Sequence, residues 1–270
     1  MRLGTLGGSA TFAGEATEAI RARHPELSAP QYFKSMEECW SELANGTVDA
    51  IVLGAERTGQ PHHGSAVVTR GFHVMDMMAL PLLCNLYVKP GTRHQSIRRV
   101  TGHGSIMQCV PWLEKHFPGV PREMHGLNSV EAPKDVLAGD GTSAVVGSRA
   151  LIGAVPGLEV MAERIDDGSL SNWWLVSRDP YFSARPTTVI VAAESGPDGK
   201  LGNLIAAVQR TGYRLATIAG FPVAHGISTY QYLARFDGEG ARARVEEAIA
   251  PFGARLAGAF GGGRSSANSR

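Results

Sequence analysis

Cysteine is scarce in this chain. Its 270 residues hold only Cys39, Cys84 and Cys109, far apart and in no CxxC arrangement. An odd, scattered set excludes a disulfide scaffold and a zinc knuckle, and makes a reducing cytoplasm the default location. A surplus of either charge is missing too: 26 Lys and Arg face 25 Asp and Glu, for a net charge of +1. That balance leaves no electrostatic footprint for nucleic acid or an anionic membrane surface. Long apolar runs are also lacking. The longest, from Val74 to Val88, is broken by Asp76, Pro81 and Asn85, and falls short of the roughly 18 apolar residues a membrane-spanning helix needs. The opening MRLGTLGGSATFAGEA has no charged head before an apolar stretch, so no secretory signal is expected. Neither a Walker A loop nor GxGxxG occurs, and no Ser/His/Asp or Cys/His nucleophile set is visible, because Cys109 lacks an elbow context. No cofactor is implied. The adjacent His62 and His63 have no carboxylate partner at a defined spacing, so no metal site is expected.

What the chain does have is glycine, 33 residues, and a hydrophobic content of 43%. The glycines punctuate an alternation of short strands and helices. Residues 1–6 read as a strand running into Gly7-Gly8-Ser9-Ala10, and 11–23 as a helix. A helix over 35–45 carries Met36, Cys39, Trp40 and Leu43 on one face, and 48–53 is a strand entering the polar loop 54–65. Further along, 78–88 reads as a strand, 105–116 and 130–138 as helices, 143–147 as a strand and 149–154 as a short helix. This is an α/β pattern with mostly parallel strands. Composition changes at Arg185-Pro186. From there the order is strand 188–193, helix 201–211, strands 215–221 and 229–236, helix 240–250 and strand 255–259, a ferredoxin-like βαββαβ unit. The closing GGGRSSANSR is expected to be disordered. Two domains follow, the second one small.

Several segments suggest chemistry. The turn Gly7-Gly8-Ser9-Ala10-Thr11 leaves a strand and opens a helix, so its N–H groups suit a carboxylate or phosphate; a plain tight turn capped by Thr11 is the alternative. The 54–64 loop carries Glu56, Arg57, His62 and His63 beyond a strand end, where ligands sit in open α/β sheets. Arg57 could grip a carboxylate bidentately and either histidine could exchange a proton, unless the loop is simply solvated. Gly102-His103-Gly104-Ser105 and Asn128-Ser129 each precede a helix and read equally as caps or as anion sites. Two adjacent tryptophans, Trp173 and Trp174, follow a polar turn. Either one is core and the other lines a pocket, or both pack a hinge.

Nearly end to end, the series resembles the prephenate dehydratase family with a C-terminal ACT domain. Residues 4–13 are similar to its LGPxGTFS segment, 53–59 stand at PxENSxxG, and 101–109 resemble SHPQALxQC through Gln108-Cys109, with His103 displaced by one position. Asn128 to Ala132 matches STAxAA, residues 143–158 match AAIxSxxAAxxYGL, and 165–176 fall on the segment containing TRF. In the second unit Gly199-Lys200-Leu201 stands at GAL, Gly212 to Leu215 at GINL, Ala219 to Pro222 at ESRP and Tyr230-Gln231-Tyr232 at YxF.

The resemblance implies a two-lobed domain like periplasmic binding proteins over 1–185, with lobe one at 1–75 and 165–185 and lobe two at 76–164. It adds an ACT domain over 188–262 and leaves a 263–270 tail. It implies a small dicarboxylate substrate, an aromatic amino-acid effector near Leu201, Gly202, Asn203, Leu204, Phe221 and Pro222, and a homodimer or homotetramer. The departures point to altered chemistry. Where the family's TRF threonine helps the ring hydroxyl leave, this chain has Asn172-Trp173-Trp174, and an amide delivers no proton at ordinary pH. Non-aromatising prephenate decarboxylases also lack TRF and carry a tryptophan there. The favoured expectation is therefore decarboxylation of prephenate or a close analogue without aromatisation. Gly8, Ser9, Ala10, Thr11, Glu56, Arg57 and Ser129 would bind the substrate, Trp173 or Trp174 would cover its ring, and His62, His63 and Asn172 would serve catalysis. One alternative is the parent dehydration, with Ser169 or Ser171 replacing the threonine; another is a non-catalytic ACT sensor of amino acids.

Overall fold

A computed structural model describes residues 1–56, 64–124, 131–166, 168–195, 199–223 and 229–261, with the backbone alone for Glu56. Strand–helix alternation begins at once: β1 (Leu3–Leu6), α1 (Phe12–Arg21), β2 (Pro30–Phe33), α2 (Met36–Asn45), β3 (Ala50–Glu56), α3 (Gly64–Thr69) and β4 (His73–Pro81). Local chemistry sets the helix bounds. Ser35 caps α2 by accepting from the Glu38 N–H at 3.1 Å, and Gly46 ends it in the left-handed region at φ 74°. The buried face of α2 is Cys39, Trp40 and Leu43, the spacing of one helical stripe.

The chain then crosses to a second body: β5 (Cys84–Val88), β6 (Arg99–Gly102), α4 (Val110–His116), β7 (Arg122–Met124), α5 (Glu131–Ala138), β8 (Ser143–Ser148), α6 (Leu151–Ala154) and β9 (Glu159–Ala162). It returns as β10 (Leu170–Ser177). Two corrections to the sequence reading follow. The run 78–88 is not one strand: Pro81 closes β4, and the chain changes sheets before β5. Placing the lobe boundary at 75/76 would cut β4, which instead pairs along its length with β10, from Pro81↔Leu170 to His73↔Ser177. The short strands β2, β6, β7 and β9, of 3 or 4 residues, were not anticipated.

The remaining elements are β11 (Thr188–Ser195), α7 (Lys200–Gln209), β12 (Tyr213–Pro222), β13 (Tyr230–Gly238), α8 (Arg242–Ile249) and β14 (Arg255–Phe260). Their order in the sheet, β12-β13-β11-β14, with every ladder antiparallel, is the ferredoxin-like arrangement expected of a βαββαβ unit. This unit does not stand apart. β14 joins β4 at Gly258↔Val74, giving one nine-stranded sheet β12-β13-β11-β14-β4-β10-β3-β1-β2 beside the five-stranded β7-β6-β8-β5-β9. Val189, Val191 and Ala193 face α7 and α8, while Ile190 and Ala192 share a core with Trp40, Phe72, Val74 and Trp174. Strand β11 is thus apolar on both faces, and the two units bury a common interior. Arg255 reinforces the junction, donating to the carbonyls of Phe72 at 3.1 Å and Val67 at 2.9 Å. All three cysteines are free and buried, and burial pushes the Cys39 thiol up to about 12. Among the described residues, no helix is long and apolar enough to cross a membrane.

One buried charge in β4 is fully compensated. The Asp76 side chain is 4% exposed and meets Arg23 at 3.0 Å and His24 Nε2 at 2.9 Å, and it accepts from the Met77 N–H at 2.8 Å. The hydrogen bond to Asp76 outweighs burial and raises the His24 pKa above its ordinary value. The pair's contribution is then complete below the unfolded-state value of about 6.5 and is lost as pH rises through the folded-state value. Thermal melts of the wild type and His24→Gln should show a stability gap at about pH 5.5 that narrows as pH rises above about 6.5. A gap that stays constant across that range would mean the His24 charge adds nothing.

Candidate functional site

β1 and β3 are parallel neighbours, so the loops leaving their carboxyl ends share one edge of the sheet, where open α/β sheets bind ligands. The first of these loops is the 7–11 turn. Gly7 adopts φ +87° and donates to the Phe33 carbonyl at 2.8 Å, tying the turn to the end of β2. The Gly8 carbonyl accepts from both the N–H (3.0 Å) and the hydroxyl (2.7 Å) of Thr11. The same hydroxyl caps α1 by accepting from the Gly14 N–H at 3.1 Å. Thr11 is therefore a cap, and its hydroxyl is occupied. The cap serves the Gly14 N–H only, and the N–H groups of Phe12 and Ala13 at the start of α1 have no partner within the helix. Gly14 is required here: a Cβ would sit 2.4 Å from the Gly8 carbonyl and 2.8 Å from Ser9 backbone atoms.

The second body reaches the same turn. Ser148, the last residue of β8, donates through its hydroxyl to the Ala10 carbonyl at 3.2 Å, and the Ala150 N–H donates to the Glu15 carboxylate of α1 at 3.1 Å. Phe12 packs against the cores of both bodies. The turn is thus the place where the two sheets meet.

β10 forms the third side. Asn172 is half-buried, faces Glu56 on β3 and Ala79 on β4, and sits where the β3 ladder shifts register before Trp173↔Gly54. A bulge of this kind re-aims side chains and recurs beside active sites. It places Asn172 at the carboxyl end of β3. The tryptophans behave differently from expectation. Trp173 and Trp174 are 4% and 3% exposed and point to opposite faces, as strand neighbours must. Trp173 lies over Gly54 in the core beneath α1, and Trp174 lies in the core shared with the C-terminal unit. Neither ring is available to cover a ligand, because each is used in packing. Ser171 is fully buried and faces Leu80 in the ladder, on the same side of β10 as Trp173, so it cannot replace a threonine at 172 without reversing the strand's faces.

The other candidates divide in four. Arg57, His62, His63 and Ser129, with the side chain of Glu56, lie outside the described residues. Gly8, Ser9, Ala10 and Thr11 are brought to the meeting point of the two bodies. His103 leads into a 3-10 turn at Gly104–Cys109, its carbonyl accepting from the Ile106 N–H at 2.8 Å. In the C-terminal unit Leu201, Gly202, Asn203 and Leu204 form the first turns of α7, and Leu204 is core against the sheet. Phe221 and Pro222 end β12, with Phe221 packed on the opposite face. Sequence reasoning gave no role to Ser148 or to the polar Asn85 and Tyr87 inside an apolar strand. A polar residue in such a run was the available signal.

Residues 3–180 match the family described as prephenate dehydratase. The chain belongs to the prephenate dehydratase family. The lyase class expected from the sequence rests on that membership. Among curated relatives, the chain is 26% identical over 240 residues to the bifunctional chorismate mutase/prephenate dehydratase of Stutzerimonas stutzeri, covering 86% of this chain and 64% of that protein. It is 26% identical over 266 residues to the prephenate dehydratase of Amycolatopsis methanolica, covering 92% and 83%. The chain thus spans less than two thirds of the bifunctional relative. In fold it is similar to the prephenate dehydratase of Arthrobacter aurescens solved in complex with L-Phe, with a TM-score of 0.80, 20% identity and coverage of 97% and 90%. A protein described as the quorum quenching acylase GqqA shares the fold at TM-score 0.75 and 15% identity, covering 98% of this chain and 99% of that one. The fold alone therefore leaves the chemistry to the site.

Proposed function

We propose that this member of the prephenate dehydratase family removes CO2 from prephenate or a close analogue without aromatising the ring. The observation that carries the reading is Asn172, half-buried at the β3–β10 register shift, where the family has the threonine of TRF. An amide there can hold the ring hydroxyl by a hydrogen bond but supplies no proton for its departure. The substrate lies in the cleft between two lobes arranged as in periplasmic binding proteins, one carboxylate against the 7–11 turn and the other held by Arg57 or Ser129. Loss of CO2 leaves an electron pair that moves into the ring diene. A proton then bonds to ring carbon, supplied by His62 or His63, and the hydroxyl stays. Because both tryptophan rings are used in packing, exclusion of water falls to closure of the lobes rather than to a ring lid.

The C-terminal unit reads as an ACT domain. It would take an aromatic amino-acid effector, consistent with the relative solved with L-Phe, and would join copies of the chain into a homodimer or homotetramer. The parent dehydration to phenylpyruvate remains the second reading, favoured by the names of the relatives. Since Ser171 is buried in the ladder, that reaction would fall to Ser169, the other serine of the segment. Proton NMR of prephenate with the enzyme at neutral pH, beside an enzyme-free control, separates the readings. Loss of the prephenate signals to a new set of olefinic ring protons supports decarboxylation alone. Aromatic protons appearing faster than in the control establish dehydration, and no turnover points to a sensor.

A further inference from the structure

Burying a polar side chain is costly unless each of its atoms finds a partner, so a buried polar chain in an apolar strand calls for a reason. β5 contains such a chain. Cys84, Leu86 and Val88 face one core, while Asn85 and Tyr87 share the other face. Asn85 is 8% exposed, Tyr87 0% and Ser148 3%. The Arg164 N–H, in the segment returning from the second body, donates to Asn85 Oδ1 at 3.0 Å. Asn85 Nδ2 donates to the Tyr87 hydroxyl at 3.3 Å, which donates to the Ser148 carbonyl at 2.7 Å. The Ser148 hydroxyl accepts from the Ala150 N–H at 3.2 Å and donates to the Ala10 carbonyl, also at 3.2 Å. Burial pushes the Tyr87 phenol above its ordinary range, so it stays protonated and keeps its donor.

The end of this chain is what gives it meaning. The peptide unit between Ala10 and Thr11 is held at both sides, its carbonyl by Ser148 across the cleft and its N–H by the Gly8 carbonyl at 3.0 Å. That unit directly precedes the N–H groups that open α1 and have no partner within the helix, so its plane sets their aim. We propose that Asn85, Tyr87 and Ser148 are positioning residues that hold the 7–11 turn in its ligand-binding form through the Ala10 carbonyl, touching no substrate themselves. The functional part rests on the reading of that turn as a carboxylate seat. The pinning itself does not.

The test uses the full chain and the variants Tyr87→Phe, Ser148→Ala and Ser148→Thr. Ser143→Ala, at the far end of β8 where its hydroxyl accepts from Arg99, serves as the control. Two readouts are taken: amide hydrogen exchange of the 7–14 segment in the free protein, and KM and kcat with prephenate. Losing one buried hydrogen bond is about tenfold in an equilibrium. Tyr87→Phe and Ser148→Ala should therefore speed exchange in 7–14 and raise KM by roughly tenfold each, with kcat within about twofold. Ser148→Thr, which keeps the hydroxyl, should restore both, and Ser143→Ala should change neither. Unchanged exchange in 7–14 overturns the pinning. Faster exchange with unchanged KM overturns the positioning role. Faster exchange in a protein that does not turn prephenate over supports the pinning and overturns the substrate reading instead.

Discussion

Replacing Asn172 by threonine is expected to turn the reaction back toward an aromatic product, raising phenylpyruvate formation by about a hundredfold. That is the lower range for a well-placed general acid. The side chain at 172 already sits at the register shift between β3 and β10, facing Glu56 and Ala79. A hydroxyl there would stand where the family's threonine acts on the departing ring hydroxyl. CO2 release should change little, because decarboxylation depends on the carboxylate seats rather than on residue 172. Quantifying phenylpyruvate and the non-aromatic product side by side for the wild type and Asn172→Thr checks this. An unchanged product ratio would show that Asn172 does not decide the outcome.

Trp174→Ala is expected to cost roughly 3–5 kcal/mol, as large aromatic truncations in cores do, and to lower Tm by about 10 °C. The ring packs in one core with Phe72, Val74, Ile190, Ala257 and Phe260, so its loss opens the interior common to the N-terminal strands and the C-terminal unit. Trp173→Ala should cost a similar amount, because its ring lies among Leu3, Ile20, Met75 and Leu175 beneath α1. It should additionally raise KM, since α1 carries the 7–11 turn. Thermal melts with steady-state kinetics read both effects. If Trp173→Ala kept the wild-type Tm and lost only activity, that ring would be a substrate contact and its assignment to packing would fail.

The parts of this fold that were legible in the sequence are those whose signals are local. The C-terminal βαββαβ order could be read because its strands, 6 to 10 residues long, are runs of apolar and aromatic residues and each helix is bounded by glycine or by polar turns. The α2 helix announced itself through the spacing of Met36, Cys39, Trp40 and Leu43. β2, β6, β7 and β9 escaped because strands of 3 or 4 residues carry no periodicity of their own and exist through their partners. β10 shows in sequence two tryptophans after a polar turn and no strand signal of its own. Its strand character comes from lying between β3 and β4, distant in sequence, and that placement also sends both rings into cores.

The candidate site divides on the same principle. The 7–11 turn and Asn172 were visible as motifs. The Ser148 and Tyr87 contacts join residues 138 and 61 positions apart, which no local pattern encodes.

The measurement that tests the central claim most directly is turnover of prephenate in heavy water, with deuterium located in the product by NMR. Decarboxylation without aromatisation must place a new solvent-derived hydrogen on ring carbon while the hydroxyl stays. The account predicts one deuteron in a ring that keeps its olefinic protons. Dehydration loses CO2 and hydroxide together and needs no new ring hydrogen. An aromatic ring free of deuterium would contradict the account.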